Sequence, residues 1–316
     1  MSKIAIVTGA NQGLGFALAE GLVQQLAPED VVYITGRDHD RVRAAAARIA
    51  GARAQVRGEV LDVRDGAAVA AFADAMAGRH GGIDVVFSNA AARLTPGTPW
   101  AELVGPFVDT NNLGTTRMLR AFDPILRPGG RLLVVASDFG SLRRLPAHLH
   151  RRFDTDAMSL DDVDTTMLAW RDAVMDGLAT EEGWPEWINI PSKVGQVAAV
   201  RVLARQRRAA DAQDGTLVAA ICPGLVDTQA SRPWFEDMGE AQTPAQAALA
   251  PCAWRSVAPR TGASMASWSS SAGSSRGAEA ARVPQPRPSH AASTAVCRRD
   301  RPDGVQPGGR VVGLLL

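Results

Sequence analysis

Ile4-Ala5-Ile6-Val7-Thr8-Gly9-Ala10-Asn11-Gln12-Gly13-Leu14-Gly15-Phe16-Ala17-Leu18-Ala19-Glu20 is the stretch from which the fold is read. Four apolar, largely β-branched residues run into a glycine-rich bend, and a helix-forming run comes at once after it. The pattern predicts a strand, a tight turn and a helix N-terminus. Glycines let the backbone bend and let a ligand come close, while the unpaired N–H groups that open the helix favour phosphate. A single glycine turn is a weak signal, and it gains meaning only from matching motifs elsewhere in the chain.

The same unit then repeats. Val31-Val32-Tyr33-Ile34-Thr35 reads as a second strand ending at Gly36-Arg37-Asp38, and Asp40 to Ala50 as a helix. A third strand near Val56 to Val60 ends at Leu61-Asp62-Val63 and leads into a helix over Ala67 to Met76. The fourth strand, Ile83 to Phe87, enters Ser88-Asn89-Ala90-Ala91. A long helix over Leu103 to Leu126 precedes a fifth strand, Arg131 to Ala136, which ends at Ser137. Strands alternating with helices predict right-handed crossovers and a doubly wound parallel sheet, an α/β fold of the Rossmann type. Ligands of such sheets bind beyond the carboxyl ends of the strands, and the polar motifs just quoted all fall there.

The 316 residues carry a formal charge of +1 and no apolar run near the ~20 residues that span a bilayer. No basic segment followed by a long apolar stretch opens the chain, so no secretory leader is expected. Cys222, Cys252 and Cys297 share no metal-ligand spacing and cannot all pair, which points to a reducing, cytoplasmic setting. The histidines show no metal-ligand pattern, and no metal is expected. Charge is unevenly spread. From Pro251 to Leu316 nine arginines face Glu279, Asp300 and Asp303, a net of +6 that leaves −5 on the residues before it. Such a split marks a boundary.

The ordered motifs resemble those of the short-chain dehydrogenase/reductase family, and within it the monomeric carbonyl reductases. Thr8-Gly9-Ala10-Asn11-Gln12-Gly13-Leu14-Gly15 fits the family's T-G-x-x-x-G-x-G, and Ser88-Asn89-Ala90-Ala91 stands where N-N-A-G is usual. Thr110-Asn111-Asn112-Leu113-Gly114-Thr115 contains the helix asparagine. Ser137 closes strand five, Lys193 lies near the start of a helix, and Cys222-Pro223-Gly224-Leu225-Val226-Asp227-Thr228 comes after strand six. The match runs from about Lys3 to Ala250. It implies a single dinucleotide-binding domain over 1–250. Asn11, Gln12, Leu14, Asn89, Ala90, Pro223, Gly224, Val226 and Thr228 would touch the cofactor beside the glycines. Asp62 and Val63 would frame the adenine. Residues 148–183 form an insertion whose helix carries Met167, Trp170, Val174 and Leu178 on one face. In the resembling reductases it covers the helices used for oligomer assembly, which implies a monomer.

Individual residues refine this reading. Arg37 sits just past the second strand, where an acid would hold a free ribose hydroxyl; a guanidinium suits a 2′-phosphate, so NADP is favoured over NAD. Lys193 and Lys3 are the only lysines in the chain. A compact ammonium at 193 suits a donor to ribose hydroxyls. Trp184, Trp187, Trp234 and Phe235 would border the cleft for a small carbonyl or alcohol substrate, or belong to the core.

One position breaks the pattern. The family's acid is a tyrosine four residues before the lysine, and here Asn189-Ile190-Pro191-Ser192-Lys193 puts Asn189 in its place. The chain's single tyrosine, Tyr33, lies inside the second strand. An amide donates a hydrogen bond but gives up no proton near neutral pH, and losing a positioned acid costs about 10²–10⁴-fold in rate. Hydride transfer could proceed on proximity and on hydrogen bonds from Ser137 and Asn189 to the developing oxyanion, with Asn111 completing the catalytic group. Water or Asp138 would supply the proton. Two other readings stand beside an NADP-dependent oxidoreductase: a catalytically silent nucleotide-binding protein, and, weakest, a nucleic-acid-associating protein using the arginine-rich tail.

Beyond Ala250 periodicity is lost. Ser264 to Ser275 is rich in Ser, Ala and Gly, and Val283 to Ser289 in Pro. Such a tail buries too little apolar area to offset chain entropy, and it reads as disordered or as frameshifted. With GC-rich codons, a shifted frame over Met265 to Gly277 gives a turn and strand of the kind the family's closing element needs. Either way the last strand is expected to be missing, with strand six left as an exposed edge.

Overall fold

β1 (Ile4–Val7), β2 (Val31–Gly36) and β4 (Ile83–Ser88) are buried along their whole length. Strands hidden on both faces need a covering layer on each side. The computed structural model describes residues 1–49, 53–252 and 313–315, and it supplies both layers. With β3 (Gln55–Val60), β5 (Leu126–Val135) and β6 (Leu217–Cys222), six parallel strands run in the order β3-β2-β1-β4-β5-β6. This is a Rossmann-type fold.

Alternate residues of each strand enter opposite cores. Ile4, Ile6, Tyr33, Val86, Leu132 and Val134 face one side. There they meet α3 (Gly66–His80), α4 (Trp100–Val108), α5 (Gly114–Phe122), α6 (Leu160–Met175) and α7 (Asn189–Asp214). Ala5, Val7, Val32, Ile34, Phe87 and Leu133 face α1 (Gly13–Gln25), α2 (His39–Ile49) and α8 (Pro244–Cys252). α8 lies close on α1: a Cβ at Gly21 would sit 2.6 Å from the Cys252 sulfur.

Four details depart from the sequence reading. The helix expected over Leu103 to Leu126 is broken by a π-helical turn, Asp109–Leu113, between α4 and α5. Pro106, inside α4, has no N–H to donate, and the Thr110 hydroxyl donates to its carbonyl at 2.8 Å. β5 starts earlier than expected because Leu126 pairs with Ile83 before a register slip carries the strand past Gly129 and Gly130. In the insertion, Ser159 and Asp162 form a reciprocal capping box, and Met167 and Trp170 are buried as expected. Leu178 is not on that helix: the chain turns at Gly177 (φ 76°), and Leu178 is exposed.

The fourth concerns the far edge of the sheet. No parallel closing strand stands beside β6 among the described residues. A three-residue strand, β7 (Gly313–Leu315), pairs antiparallel with Ala220–Cys222 there, so the edge has a partner that was not expected. The remaining tail, including Met265 to Gly277, lies outside the described residues. No helix among the described residues is long and apolar enough to cross a membrane.

Candidate active site

β1 lies between β2 and β4, so the strand order reverses there and the carboxyl ends of β1 and β4 diverge into a crevice. Thr8 ties these ends together. Its hydroxyl accepts from the amides of Asn89 (2.9 Å) and Ala90 (3.0 Å), while the Asn89 side chain donates to the Thr8 carbonyl at 2.9 Å. Gly9 and Gly13 take positive φ (63° and 57°). Gly15 is needed for space: a Cβ there would lie 2.4 Å from Asn89 Nδ2 and 2.5 Å from the Gly9 carbonyl oxygen. Gln12 precedes α1 without a side-chain cap, and no acid lies in the first turn. The helix therefore presents bare amides to the crevice, a cradle suited to a pyrophosphate.

A cavity of about 1130 Å³ opens over this turn. Gly9, Asn11, Gln12, Gly13, Leu14, Gly15, Arg37, Asp62, Val63, Asn89, Ala90 and Thr228 line it, so most of the predicted cofactor residues are brought together. Arg41 and Arg64, which the sequence reading passed over, line it beside Arg37. Their loads differ. Arg64 gives Nε and Nη2 to the Asp62 carboxylate at 2.6–3.1 Å, and this pairing holds Asp62 below the usual carboxylate range. Arg41 donates to the Gln12 side chain. Arg37 is exposed and lends Asp62 only a through-space charge.

Pro223, Gly224 and Val226 do not line the cavity. Pro223 and Val226 are buried beneath their loop, which Gln242 fastens by donating its side chain to the Pro223 carbonyl and pairing its backbone with Leu225 and Asp227. Gly224 (φ 76°) turns away on the outer side. Thr228 is the part of the motif that reaches the glycine turn, its methyl 3.7 Å from where a Gly13 Cβ would be.

Ser137 follows β5, Asn111 lies in the π-helical turn before it, and Asn189 and Lys193 open α7; none of the four lines the cavity over the glycine turn. Ser137 ends the segment after β5 and caps a 3-10 turn, its hydroxyl accepting from the Phe139 amide at 3.3 Å. Asn189 is the first residue of α7, and Lys193 lies one turn further along the same face. Lys193 Nζ donates to the Val135 carbonyl at 3.1 Å. Burial pushes its pKa down to about 8, partly opposed by Cys222 at the end of β6. Asn111 sits in the π-helical turn, buried, with its side-chain oxygen accepting from the Ala92 amide at 2.8 Å.

Two pairs anchor α7 on either side of Lys193. Asn112 and Ser192 bond reciprocally, Nδ2 to the Ser192 carbonyl at 2.8 Å and Ser192 Oγ to Asn112 Oδ1 at 2.9 Å. Gln196 donates to the Thr115 hydroxyl at 2.9 Å, and Thr115 donates to the Asn111 carbonyl at 2.6 Å. These residues were missed as site residues, although Asn112 and Thr115 fall within the motif read around Asn111.

The remaining candidates resolve differently. Asp138 is exposed and ion-paired with Arg144, which leaves it unsuited as a buried acid. Tyr33 is buried in β2, with its hydroxyl 2.8 Å from His80 Nε2. β2 lies three strands from β5 in the sheet, so that pair is remote from Ser137. His148 and His150 contact the carbonyls of Glu182 and Leu145. Trp184 belongs to the core, packed with Phe153 and Trp170. The Trp187 and Trp234 rings lie 4.8 Å apart and join Trp100 in an aromatic cluster, Trp187 standing two residues before Asn189 in sequence. Phe235 is half-buried next to it in sequence. No group of three or more His, Cys, Asp or Glu is disposed to hold a metal among the described residues.

Comparison with known proteins gives the family and the fold. The model of the short chain dehydrogenase family matches residues 3–147. Carbonyl reductase [NADPH] 1 of Sus scrofa is 30% identical over 256 residues, covering 79% of this chain and 88% of that protein. Carbonyl reductase [NADPH] 3 of Rattus norvegicus is 31% identical, covering 79% and 92%. Among solved structures, salutaridine reductase from Papaver somniferum superposes with a TM-score of 0.65 at 22% identity, over 78% of this chain and 92% of that one.

Proposed function

The chain belongs to the short-chain dehydrogenase/reductase family, and from that premise we propose that it moves hydride between NADP(H) and a small carbonyl or alcohol. The observation that carries this is the cavity over the glycine turn, whose lining includes the uncapped start of α1 together with Arg37 and Arg41. The amides suit the pyrophosphate, and the two guanidiniums suit a 2′-phosphate that NAD lacks. The relatives' printed names, carbonyl reductases of the NADPH type, support the same choice.

NADPH supplies the hydride when bound. The chain's own residues do the rest. Lys193 holds ribose hydroxyls, Ser137 and Asn189 donate hydrogen bonds to the substrate oxygen as charge gathers on it, and Asn111 braces the segment after β4 through Ala92. The Trp100, Trp187 and Trp234 cluster gives the substrate an apolar wall. α6, packed on α4 and α7, covers a helical face and supports a monomer. A cytoplasmic setting completes the reading.

The test is turnover of a panel of aldehydes, ketones and alcohols with NADPH and NADH, alongside fluorescence titration of both cofactors. NADPH-dependent turnover is the expected result. Tight NADPH binding without turnover on any substrate would favour the silent nucleotide-binding protein, and absence of binding would remove the reading altogether.

A further inference from the structure

β3 pairs with β2 in unbroken register over Gln55–Val60 and has no strand on its other side among the described residues. We propose that this open edge is a self-recognition surface: β3 pairs antiparallel with β3 of a second copy, about a two-fold axis through Gly58. The inference is independent of the oxidoreductase reading, and it concerns a different surface from the helical face that α6 covers.

The backbone sets the phase. Gln55 and Leu61 donate their amides to the carbonyls of Asp30 and Gly36, on the β2 side. Residues alternate in a parallel ladder, so Arg57 and Glu59 also turn their amides and carbonyls toward β2. Those of Val56, Gly58 and Val60 point away from the sheet. An antiparallel pair centred on Gly58 sets Val56 opposite Val60 of the second copy, and Gly58 opposite Gly58. These are the residues whose groups point outward, so each such pair exchanges both of its hydrogen bonds. A register shifted by one residue would bring β2-bonded groups to the contact and lose them.

The side chains fit the same axis. Val56-Arg57-Gly58-Glu59-Val60 carries opposite charges at equal distances from the central glycine, and a valine at each end. Arg57 then faces Glu59 of the second copy, and Glu59 faces its Arg57, at the non-hydrogen-bonded positions where cross-strand side chains come closest. A two-fold contact requires this kind of self-complementarity. Within their own chain the two charges are loosely held: Arg57 donates to the neutral Tyr33 hydroxyl at 3.3 Å, and Glu59 meets Arg79 at 3.7 Å. Val60 is 52% exposed, a large apolar side chain left open, and the pairing sets it against Val56. α2 crosses above Gly58, where Ala46 brings a methyl and not a long side chain to the axis.

An edge built to refuse a partner carries proline, a bulge or repelling charge. β3 has no proline and no bulge, and its charges attract across the axis. The paired strands run in opposite directions, so the two cofactor cavities, at the carboxyl ends, open at opposite ends of the joined sheet and stay clear of the contact.

The test is sedimentation equilibrium of the full chain from about 1 µM to about 1 mM. An edge contact of this size belongs to the small, transient class, and a dimer with Kd of about 100 µM is expected. Arg57→Glu and Glu59→Arg each set like charges opposite one another on both sides of the axis, and each should weaken association at least about tenfold. Mixing the two single variants restores attraction at every charged pair, so the mixture should associate although neither variant does alone. Arg57→Glu/Glu59→Arg in one chain should dimerise like the wild type. Amide hydrogen exchange gives an independent readout: Val56, Gly58 and Val60 should slow as protein concentration rises, while Arg57 and Glu59, already bonded to β2, should not change. The proposal is overturned by a monomer at 1 mM, by single variants that associate like the wild type, or by a mixture no stronger than its parts. Dimerisation that leaves the three outward amides unprotected also overturns it, because another surface then makes the contact. Should a charge variant fail to fold, as judged by its urea transition, the exchange of the wild-type amides decides.

Discussion

Arg37→Ala should weaken NADPH and spare NADH. A charge-assisted hydrogen bond contributes about 1.5–3 kcal/mol, and an exposed one in an open cleft belongs at the lower end. Arg37 is exposed, which sets the expected loss near 1.5 kcal/mol, or about tenfold in Kd. Arg41 reaches the same region while bonding Gln12, so the Arg37→Ala/Arg41→Ala double variant should lose about 100-fold if the two act independently. Arg64 is the internal control. Both Nε and Nη2 are already committed to Asp62, so Arg64→Ala should change NADPH affinity by less than about threefold. Fluorescence titration with both nucleotides reads all of this, and repeating it at high salt should shrink the Arg37 effect, since screening acts within a few ångströms there. Equal losses for NADPH and NADH, or an Arg64 effect as large as that of Arg37, would refute the assignment of the 2′-phosphate to this end of the cavity.

Gly15→Ala places a methyl within 2.5 Å of backbone and of Asn89, and should cost about 1–3 kcal/mol in urea denaturation while also weakening NADPH. Ser192→Ala strips a fully buried partner from Asn112 and should cost about 1–3 kcal/mol by the same measurement. Lys193 adds a pH signature to stability. Its folded pKa, near 8, lies below the ordinary 10.5, so between those values the unfolded chain binds more protons and stability should rise with pH. That slope should be absent in Lys193→Met. Cys252, whose thiol is pushed up to about 12 by burial, should resist alkylation at pH 8 long after Cys222 has reacted.

Much of the fold was legible because its signals are local. Ile4–Val7 and Val31–Ile34 are apolar runs too short for helices, each punctuated by glycine, and their alternation with helical stretches admits few topologies. The π-helical turn was not legible. One extra residue in a helical turn leaves the apolar spacing of α4 and α5 nearly intact, and the only hints are Pro106 and the polar run Asp109-Thr110-Asn111-Asn112. The early start of β5 was hidden for the opposite reason: Pro128-Gly129-Gly130 reads as a turn, yet the chain slips register there and stays in the sheet. β7 falls within the apolar run Val311-Val312-Gly313-Leu314-Leu315-Leu316, a signal passed over because the tail before it has no periodicity, and its three residues pair with β6.

The site divides along the same line. Gly9, Gly13, Gly15 and Asn89 are readable because a backbone conformation or a close approach dictates the residue type. Pro223 and Val226 are buried beneath their loop, because a motif says which loop serves a ligand but not which of its side chains turns inward. Asn112, Thr115, Ser192 and Gln196 meet across some eighty residues of chain, and no spacing rule reaches that far. Their energetics bear on what the site does. Ser192, Asn112, Thr115 and Gln196 are all at most 2% exposed, and buried polar pairs contribute less stability than an apolar core of the same shape. What such pairs add is register: they fix where α7 lies along its axis against the π-helical turn, and a sliding helix would leave them unpaired. A helix that served only as covering layer would gain nothing from that constraint. One that must hold an ammonium 3.1 Å from the Val135 carbonyl, beside a residue unable to give a proton, depends on it.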